Sequence, residues 1–450
     1  MTHHIVIIGG GPGGTAAAFE AVAWGAQVTL IEKDELGGTC LNRGCIPTKT
    51  ILKSAKALDG VRNAGQLAIT VSTEPSLDLE KLRERKARIV NELRDQLEKQ
   101  CKRMKIEVLK GTATIEGDFT VSVEFEDGSE RQLSPDAVIV ATGSVPTELP
   151  FIDHSLSRVW TSDDALELTE IPDELIVMGG GVIGVELATA YAAFGSKVTI
   201  VELADHILPY NDARTARTLA SALKRQGIEI KTKTSVTGVA QEGNRVIVTL
   251  EGDDILEVDI LLCAVGRTSL LPQGYTVGSH DCPTPYPCVV IGDASGGIML
   301  AHAAEAQGEI AAHNVMAQLE GSSLKDMPDD MSIPACVYTH PEVASIGLNT
   351  EEAKKQQREV ATGIAKFTGN GRALAEGDTD GFVSLVADKQ TGEVLGAQIV
   401  GPHAVELVAE VAIAMRMKAT VQQFSDTVFA HPTVSEAIKV AARLAAAQVC

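Results

Sequence analysis

The sequence predicts an α/β chain built on two strand–helix–strand units of one design, followed by a separate α+β region. Three observations carry this. Runs of β-branched residues alternate with alanine-rich helical stretches, the pattern of parallel sheets covered by helices. The stretch Ile5–Glu32 recurs as Leu175–Glu202, at a fixed offset of 170 residues. From about residue 331 the pattern changes to strands around 335–347, 360–367 and 382–400, then to helices from 404 and 434.

With 450 residues, 44% hydrophobic and 22% charged, the chain is long enough for roughly three domains and is not disordered. Glycine is abundant at 41 residues and aromatics are scarce at 4%. That bias suits a backbone that approaches bulky ligands, or glycines spread over turns. The 39 basic against 60 acidic residues give −21, which disfavours nucleic acid and anionic lipid as partners. No uninterrupted apolar run has the length of a bilayer span. Strand pattern begins at Ile5-Val6-Ile7-Ile8, leaving no room for a signal peptide, so a soluble, cytoplasmic protein is expected.

Each repeat opens with an apolar run that ends in a glycine turn. Gly9, Gly11 and Gly14 fall on Gly179, Gly181 and Gly184, and Gly25 on Gly195 as the helix stop. The first glycine of each set makes the tight turn and the second lets the backbone approach a pyrophosphate. The third lets helix pack on strand. Glu32 and Glu202 end the second strands, where a carboxylate accepts from a ribose hydroxyl. Two Rossmann-like folds are therefore expected, each holding a dinucleotide at a helix N-terminus. Glu202 also selects. A 2′-phosphate about 4 Å from it would be repelled by roughly 4 kcal/mol per unit charge at an effective dielectric of 20. No Lys or Arg in Leu203–Leu208 offsets this, so NAD is favoured over NADP.

Between the repeats, Leu77–Lys105 carries apolar residues at 79, 82, 89, 93, 97, 101 and 104, a helical stripe that places Cys101 in a core. Residues 106–140 and 228–262 alternate as strands, around turns at Glu116-Gly117-Asp118, Asp127-Gly128, Glu242-Gly243-Asn244 and Glu251-Gly252-Asp253. Cys263 ends one of these runs as a small buried residue. Eight cysteines in a long cytoplasmic chain are not a disulfide framework. The informative pair is Cys40 and Cys45. Five apart and opening a helix, they can lie one turn apart and close a disulfide, the alternative being two reduced core thiols. A helix N-terminus and nearby cations favour the thiolate that a redox pair requires.

The segment Gly37–Lys49, GGTCLNRGCIPTK, directly follows the first fingerprint and closely resembles the flavoprotein (pyridine nucleotide) disulfide oxidoreductases, most of all the dihydrolipoamide dehydrogenases. The likeness runs through Ala141-Thr142-Gly143-Ser144, Ala264-Val265-Gly266-Arg267, Ile291-Gly292-Asp293-Ala294, Met299-Leu300-Ala301-His302, Val337–Glu342 and His431-Pro432-Thr433 with Glu436. It implies an FAD-binding and central domain at 1–143 and 266–330, an NAD-binding domain at 144–265, and a C-terminal dimerisation domain at 331–450.

By that resemblance Cys40 is the interchange thiol that meets substrate, and Cys45 is the charge-transfer thiolate against the flavin. Lys49 sits by the flavin N5 and pairs with Glu186. His431 is the general base, oriented by Glu436 and reaching the disulfide of the other subunit of a homodimer. The ordinary pKa of histidine suits that task. FAD would meet Gly9, Gly11, Pro12, Gly13, Gly14, Glu32 and Lys33. It would also meet Gly38, Thr39, Cys40, Cys45, Lys49, Ala113, Thr142, Gly143 and Ser144. Asp293 would hold its ribityl and pyrophosphate region, and Met299, Leu300, Ala301 and His302 would lie along the flavin. NAD would meet Gly179, Gly181, Val182, Ile183, Gly184, Glu186, Glu202, Val236, Val265 and Gly266. Val182 stands where some relatives carry a shielding Tyr, which fits the lipoamide branch. No His/Cys/carboxylate cluster has metal-ligand spacing.

The implied activity is NAD⁺-dependent oxidation of dihydrolipoyl groups, with a lipoylated carrier protein or a lipoyl domain of a multienzyme complex as partner. An NADPH-dependent glutathione-type reductase is disfavoured by Glu202. A mercuric reductase would need a vicinal cysteine pair where Cys450 stands alone, and a non-catalytic assembly subunit would not need the intact set of reactive residues. One segment departs from the family. Between Arg267 and Gly292 the chain is short, with clustered prolines in Cys282-Pro283-Thr284-Pro285-Tyr286-Pro287-Cys288, which suggest a rigid loop. Cys282 and Cys288 are either an auxiliary thiol pair or two unrelated loop cysteines. A specialised lipoyl carrier as partner is the hypothesis this departure raises.

Overall fold

The computed structural model describes residues 2–116, 120–275 and 288–450. The chain divides into two compact units, one of Met1–Thr48, Arg83–Thr147 and Arg267–Pro328, the other of Lys49–Leu82, Glu148–Gly266 and Asp329–Cys450.

In the first unit a five-stranded parallel sheet runs in the order Cys288–Val290, Ala137–Val140, His4–Ile8, Gln27–Glu32, Glu107–Lys110. Both faces are buried, which is why the first strand reads as a continuous apolar run. Ile5, Ile7 and Leu30 pack with helices Pro12–Ala23 and Ala301–Glu320. Val6, Ile8 and Ile31 turn to the antiparallel strands Thr112–Ile115, Val121–Glu124 and Glu130–Leu133. The striped segment is the helix Leu79–Arg103, and Cys101 is buried as expected. Ser144–Pro146 and Arg267–Ser269 pair as a short antiparallel ribbon.

In the second unit the repeat recurs as Glu174–Met178, helix Val182–Phe194 and Lys197–Val201, inside the parallel order Glu229–Lys231, Lys197–Val201, Glu174–Met178, Ile260–Cys263, Val159–Trp160. A three-stranded antiparallel sheet, Val236–Glu242, Arg245–Leu250 and Ile255–Val258, covers Ile176, Met178 and Leu261. Ile51, Leu52, Ala55 and Leu58 of the helix Cys45–Arg62 pack in one core with Val185, Leu187 and Tyr191. The C-terminal region is an antiparallel sheet in the order Ala335–Val337, Glu342–Gly347, Val394–Gly401, Phe382–Asp388, Val360–Lys366, with helices Ala404–Arg416 and Glu436–Ala446 packed on it.

The expected strand at 335–347 is two strands, interrupted at Tyr338–Pro341 where the His340–Pro341 bond is cis. Short helices at Thr350–Lys355, Gly371–Glu376 and Val421–Asp426 are additional. Six residues do not show a 3.6-residue period, but their caps are legible. Asn349 with Glu352 and Thr420 with Gln423 form capping boxes. Cys288 begins a sheet strand rather than ending a loop, while Cys282 and the prolines before Cys288 lie outside the described residues. The turn Gly117-Asp118 lies outside them as well. Among the described residues no helix is long and apolar enough to cross a membrane.

Candidate active site

The two fingerprint turns carry the same contacts. Gly9 and Gly179 have φ of +107° and +104°. A Cβ on them would sit 2.2 Å and 2.3 Å from the carbonyl oxygens of Ala141 and Ala264. A Cβ on Gly14 or Gly184 would lie 1.9 Å or 2.0 Å from the oxygen of Gly9 or Gly179. The middle glycines differ. A Cβ on Gly181 meets nothing within 4 Å, and on Gly11 it meets a single neighbour, Gly38 Cα, at 3.9 Å. That side of each turn is open. Helices Pro12–Ala23 and Val182–Phe194 follow at once, with no side-chain cap on their first N–H groups. An open turn beside a helix start without a side-chain cap fits a pyrophosphate.

Both acidic residues fold back on their own turn. Gly10 N–H donates to Glu32 Oε2 at 2.7 Å and Asp34 N–H to Oε1 at 2.8 Å. Gly180 N–H donates to Glu202 Oε2 at 2.6 Å and Ala204 N–H to Oε1 at 2.7 Å. A carboxylate oxygen keeps a further lone pair for a ribose hydroxyl. Burial pushes the Glu32 carboxyl up from its ordinary value, against the lowering effect of the Gly10 N–H. Lys33 is exposed beside it.

Around the first turn, Ser144 Oγ donates to Asp293 Oδ2 at 2.5 Å and accepts from Arg267 Nε at 2.7 Å. Arg267 Nη2 also reaches the Ser144 carbonyl at 2.7 Å and Thr39 Oγ1 at 3.5 Å. Asp293 is thus tied to Ser144, rather than serving only a turn. Thr142 Oγ1 donates to the Leu270 carbonyl, and Gly143 has positive φ. Gly13 is buried against Ala304, and Gly308, which sequence reasoning passed over, has no room for a Cβ: it would lie 2.2 Å from the Gly13 oxygen. Its signal was a small residue inside an alanine-rich helix. Ala113 is 7% exposed, so its methyl belongs to the core and its backbone alone is left to meet a ligand. Met299 precedes Leu300, the cap of helix Ala301–Glu320, and His302 on its first turn is exposed.

Around the second turn, Val182 is 41% exposed at the helix start and Ile183 packs on the core. Val236 and Val265 pack on the core beneath the antiparallel sheet, and Gly266 has positive φ.

Cys40 and Cys45 do not share one helix. Cys40 lies in the short helix Gly38–Arg43, and Cys45 is the first residue of Cys45–Arg62. Gly44 separates them with φ −145° and ψ −112°, and a Cβ there would be 2.9 Å from the Thr39 oxygen. Thr48 Oγ1 closes the start of the second helix by donating to the Gly44 carbonyl at 2.6 Å. Both cysteines are partly buried.

Lys49 is one turn on from Cys45. Its Nζ donates to Glu186 at 2.8 Å and 3.1 Å and stands 4.4 Å from the Tyr338 ring centroid. Glu186, 2% exposed, also accepts Tyr338 N–H at 2.9 Å. A buried carboxylate with a cation and an N–H is a satisfied ion pair, and removing either charge would strand the other. Cys336 nearby is a thiol pushed up to about 11, chiefly by burial.

His431 is exposed, with Nδ1 at 3.1 Å and 3.2 Å from the carboxylate of Glu436. Glu436 is the first residue of helix Glu436–Ala446 and accepts Thr433 N–H at 3.0 Å. That N–H, and then His431, hold its carboxyl below the ordinary value. The carboxylate engages Nδ1, and Nε2 is the ring nitrogen it does not hold. Among the described residues no group of three or more His, Cys, Asp and Glu could hold a metal ion.

Comparison with known proteins accords with this geometry. Residues 3–308 match the pyridine nucleotide-disulphide oxidoreductase model, and residues 333–442 match that family's dimerisation domain. A dihydrolipoyl dehydrogenase of Bacillus subtilis is 37% identical, over 96% of this chain and 96% of its own. One from Haloferax volcanii is 35% identical over 99% of this chain and 96% of its own. The crystal structure of LpdA from Mycobacterium tuberculosis superposes with a TM-score of 0.89 at 28% identity, covering 98% of this chain and 99% of that one. The HOCl-induced flavoprotein disulfide reductase RclA of Escherichia coli gives 0.84 at 27%, covering 98% of this chain and 100% of that one. With two fingerprint turns, a cysteine pair between them and matches over nearly its whole length, the chain belongs to the pyridine nucleotide-disulphide oxidoreductase family.

Proposed function

We propose that the chain is a dihydrolipoyl dehydrogenase, oxidising protein-bound dihydrolipoyl groups with FAD and NAD⁺. The observation that carries this reading is the helix Cys45–Arg62, which starts at a redox cysteine and brings Lys49 onto Glu186 one turn later. The labour is divided among 1–143 with 266–330 for FAD, 144–265 for NAD and 331–450 for dimerisation. The first turn, with Glu32, Ser144 and Asp293, would hold FAD. The second, with Glu202, would hold NAD. Bound there, FAD would supply the two-electron chemistry that links the thiols to NAD⁺.

The chain's own residues do the rest. His431 takes a proton from the dithiol, and Glu436 keeps the imidazole oriented and offsets its positive charge. The resulting thiolate attacks Cys40 Sγ, breaking the Cys40–Cys45 bond and leaving the electron pair on Cys45. The second substrate thiol then displaces Cys40 and passes its proton to it, releasing lipoyl disulfide and leaving Cys40 as thiol and Cys45 as thiolate, with the first proton on His431. Lys49 holds a positive charge one turn from Cys45, and Glu186 keeps that charge from standing alone. The working form is a homodimer in which His431 serves the partner's cysteine pair. Its partner is a lipoylated carrier protein or lipoyl domain, and its place is the cytoplasm.

An anaerobic assay of the purified protein with NADH or NADPH, and lipoamide, glutathione disulfide or Hg²⁺, tests the reading. NADH with lipoamide should turn over fastest. Rapid turnover with NADPH and glutathione disulfide, and none with NADH and lipoamide, would overturn it.

A further inference from the structure

The short helix that carries Cys40 is poorly stabilised by itself. It has six residues and no side-chain cap, and it enters through Gly37 and Gly38, both at positive φ. A helix of that length is unstable in isolation. One side chain within it, Asn42, holds its entry. The Asn42 amide donates to the carbonyls of Leu36 at 3.0 Å, Gly38 at 2.9 Å and Glu35 at 3.3 Å. Its oxygen accepts a guanidinium fork, Arg94 Nη2 at 2.7 Å and Nε at 3.1 Å. Arg94 comes from the interior of the 25-residue helix Leu79–Arg103, the longest helix among the described residues. Its third nitrogen, Nη1, lies 3.6 Å from Glu35, the residue whose carbonyl Asn42 also holds.

We propose that Arg94 is a positioning residue for the redox pair: forked on Asn42, it anchors the Cys40 helix to the long helix and so presets Cys40 to close its disulfide with Cys45. The inference rests on the reading of Cys40 and Cys45 as a redox pair, and not on the identity of the substrate. A charged donor makes a hydrogen bond roughly twice as strong as a neutral one. The planar fork also fixes the amide plane, which the single ammonium of lysine does not. A preset pair has a high effective concentration of one thiol toward the other, which favours the disulfide over the dithiol. Loosening the anchor lowers that concentration, so the disulfide becomes easier to reduce. A purely electrostatic role would act in the opposite direction, because removing a cation disfavours the thiolates of the reduced pair.

The opposite signs make the test. The native flavoprotein, Arg94→Lys and Arg94→Met are equilibrated anaerobically with mixtures of reduced and oxidised dithiothreitol. The fraction of the pair in each state is then read by alkylation and mass spectrometry. The reaction breaks the Cys40–Cys45 bond and forms the ring disulfide of the reagent, with two electrons and two protons passing to the protein. Both substitutions should shift the equilibrium toward the dithiol by about tenfold, which is about 30 mV for this two-electron couple. Asn42→Ala should give the same shift, and adding Arg94→Met to it should add little. If Arg94→Met sheds its flavin, Arg94→Lys carries the comparison. An Arg94→Lys protein that titrates like the native one, or a shift of either variant toward the disulfide, overturns the proposal. A native protein with no reducible pair removes its basis. A native pair that titrates in a protein inactive on lipoamide defeats the functional reading alone.

Discussion

In the proposed function, His431 and Glu436 are the residues on which turnover of a dithiol would depend, because a dithiol must lose its protons before it can attack. His431→Ala should lower lipoamide-dependent turnover by about 10²–10⁴-fold, the usual contribution of a positioned proton carrier. Flavin content and NADH oxidation by an artificial acceptor should stay unchanged. Equal loss of both activities would show that the residue supports the fold instead. Glu202 belongs to the same scale. With Gly180 N–H and Ala204 N–H on its oxygens, it is held toward the turn, where the proposed function puts the ribose of the nucleotide. Glu202→Gln should therefore raise kcat/KM for NADP⁺ by about tenfold or more, since repulsion at 4 Å and an effective dielectric of 20 is roughly 4 kcal/mol. Steady-state kinetics with both nucleotides read the ratio directly.

Among the elements, the two strand–turn–helix units offer paired substitutions. In each, the third glycine packs on the carbonyl of the first, and a methyl at Gly14 or Gly184 would lie at 1.9 Å or 2.0 Å from it. Overpacking of this kind costs about 1–3 kcal/mol or more, and here it falls on the turn proposed to hold a dinucleotide. Gly14→Ala should yield protein depleted of flavin. Gly184→Ala should keep its flavin and bind NADH at least tenfold more weakly by titration. An unchanged NADH affinity would remove the second turn from nucleotide binding. The strands Glu174–Met178 and Arg245–Leu250 are joined by Arg245, which reaches Glu174 at 2.7 Å, Asp259 at 2.6 Å and Glu257 at 3.1 Å. Hydrogen bonds from Arg245 and then Lys197 hold the Glu174 carboxyl below its ordinary value. A depressed folded-state value gives stability that is present above the unfolded value and lost as pH falls through the folded one. Arg245→Met should thus lower the thermal midpoint at neutral pH, and the deficit should shrink in scans at about pH 4 and below. A deficit independent of pH would mean that the loss is one of packing.

For the whole molecule, the proposed function has dimerisation complete each site. Mixed dimers of Cys40→Ser and His431→Ala subunits combine one intact cysteine pair with one intact histidine. If His431 serves the partner's pair, co-refolded mixtures should recover lipoamide activity that neither parent has. Activity absent from mixtures, with the mixed dimer verified by mass, would place His431 and the cysteine pair in one subunit.

Much of this was written in local pattern. Alternation of strand and helix, the glycine spacing repeated at 170 residues and the GGTCLNRGC segment are short-range features, and each specifies a local backbone geometry whatever surrounds it. The parallel sheets, the two open turns and the candidate cysteine pair all followed from them. Other features depended on residues far apart in the chain. Nothing near Arg94 in sequence indicates that it forks onto Asn42, 52 residues away, and Gly308 became informative only once its helix lay against Gly13. The Lys49–Glu186 pair spans 137 residues and was expected through family resemblance, not through spacing. Local propensity chooses the elements because it acts over a few residues. The partners of a buried charge or a planar fork are chosen by packing, which requires the chain to have folded back on itself.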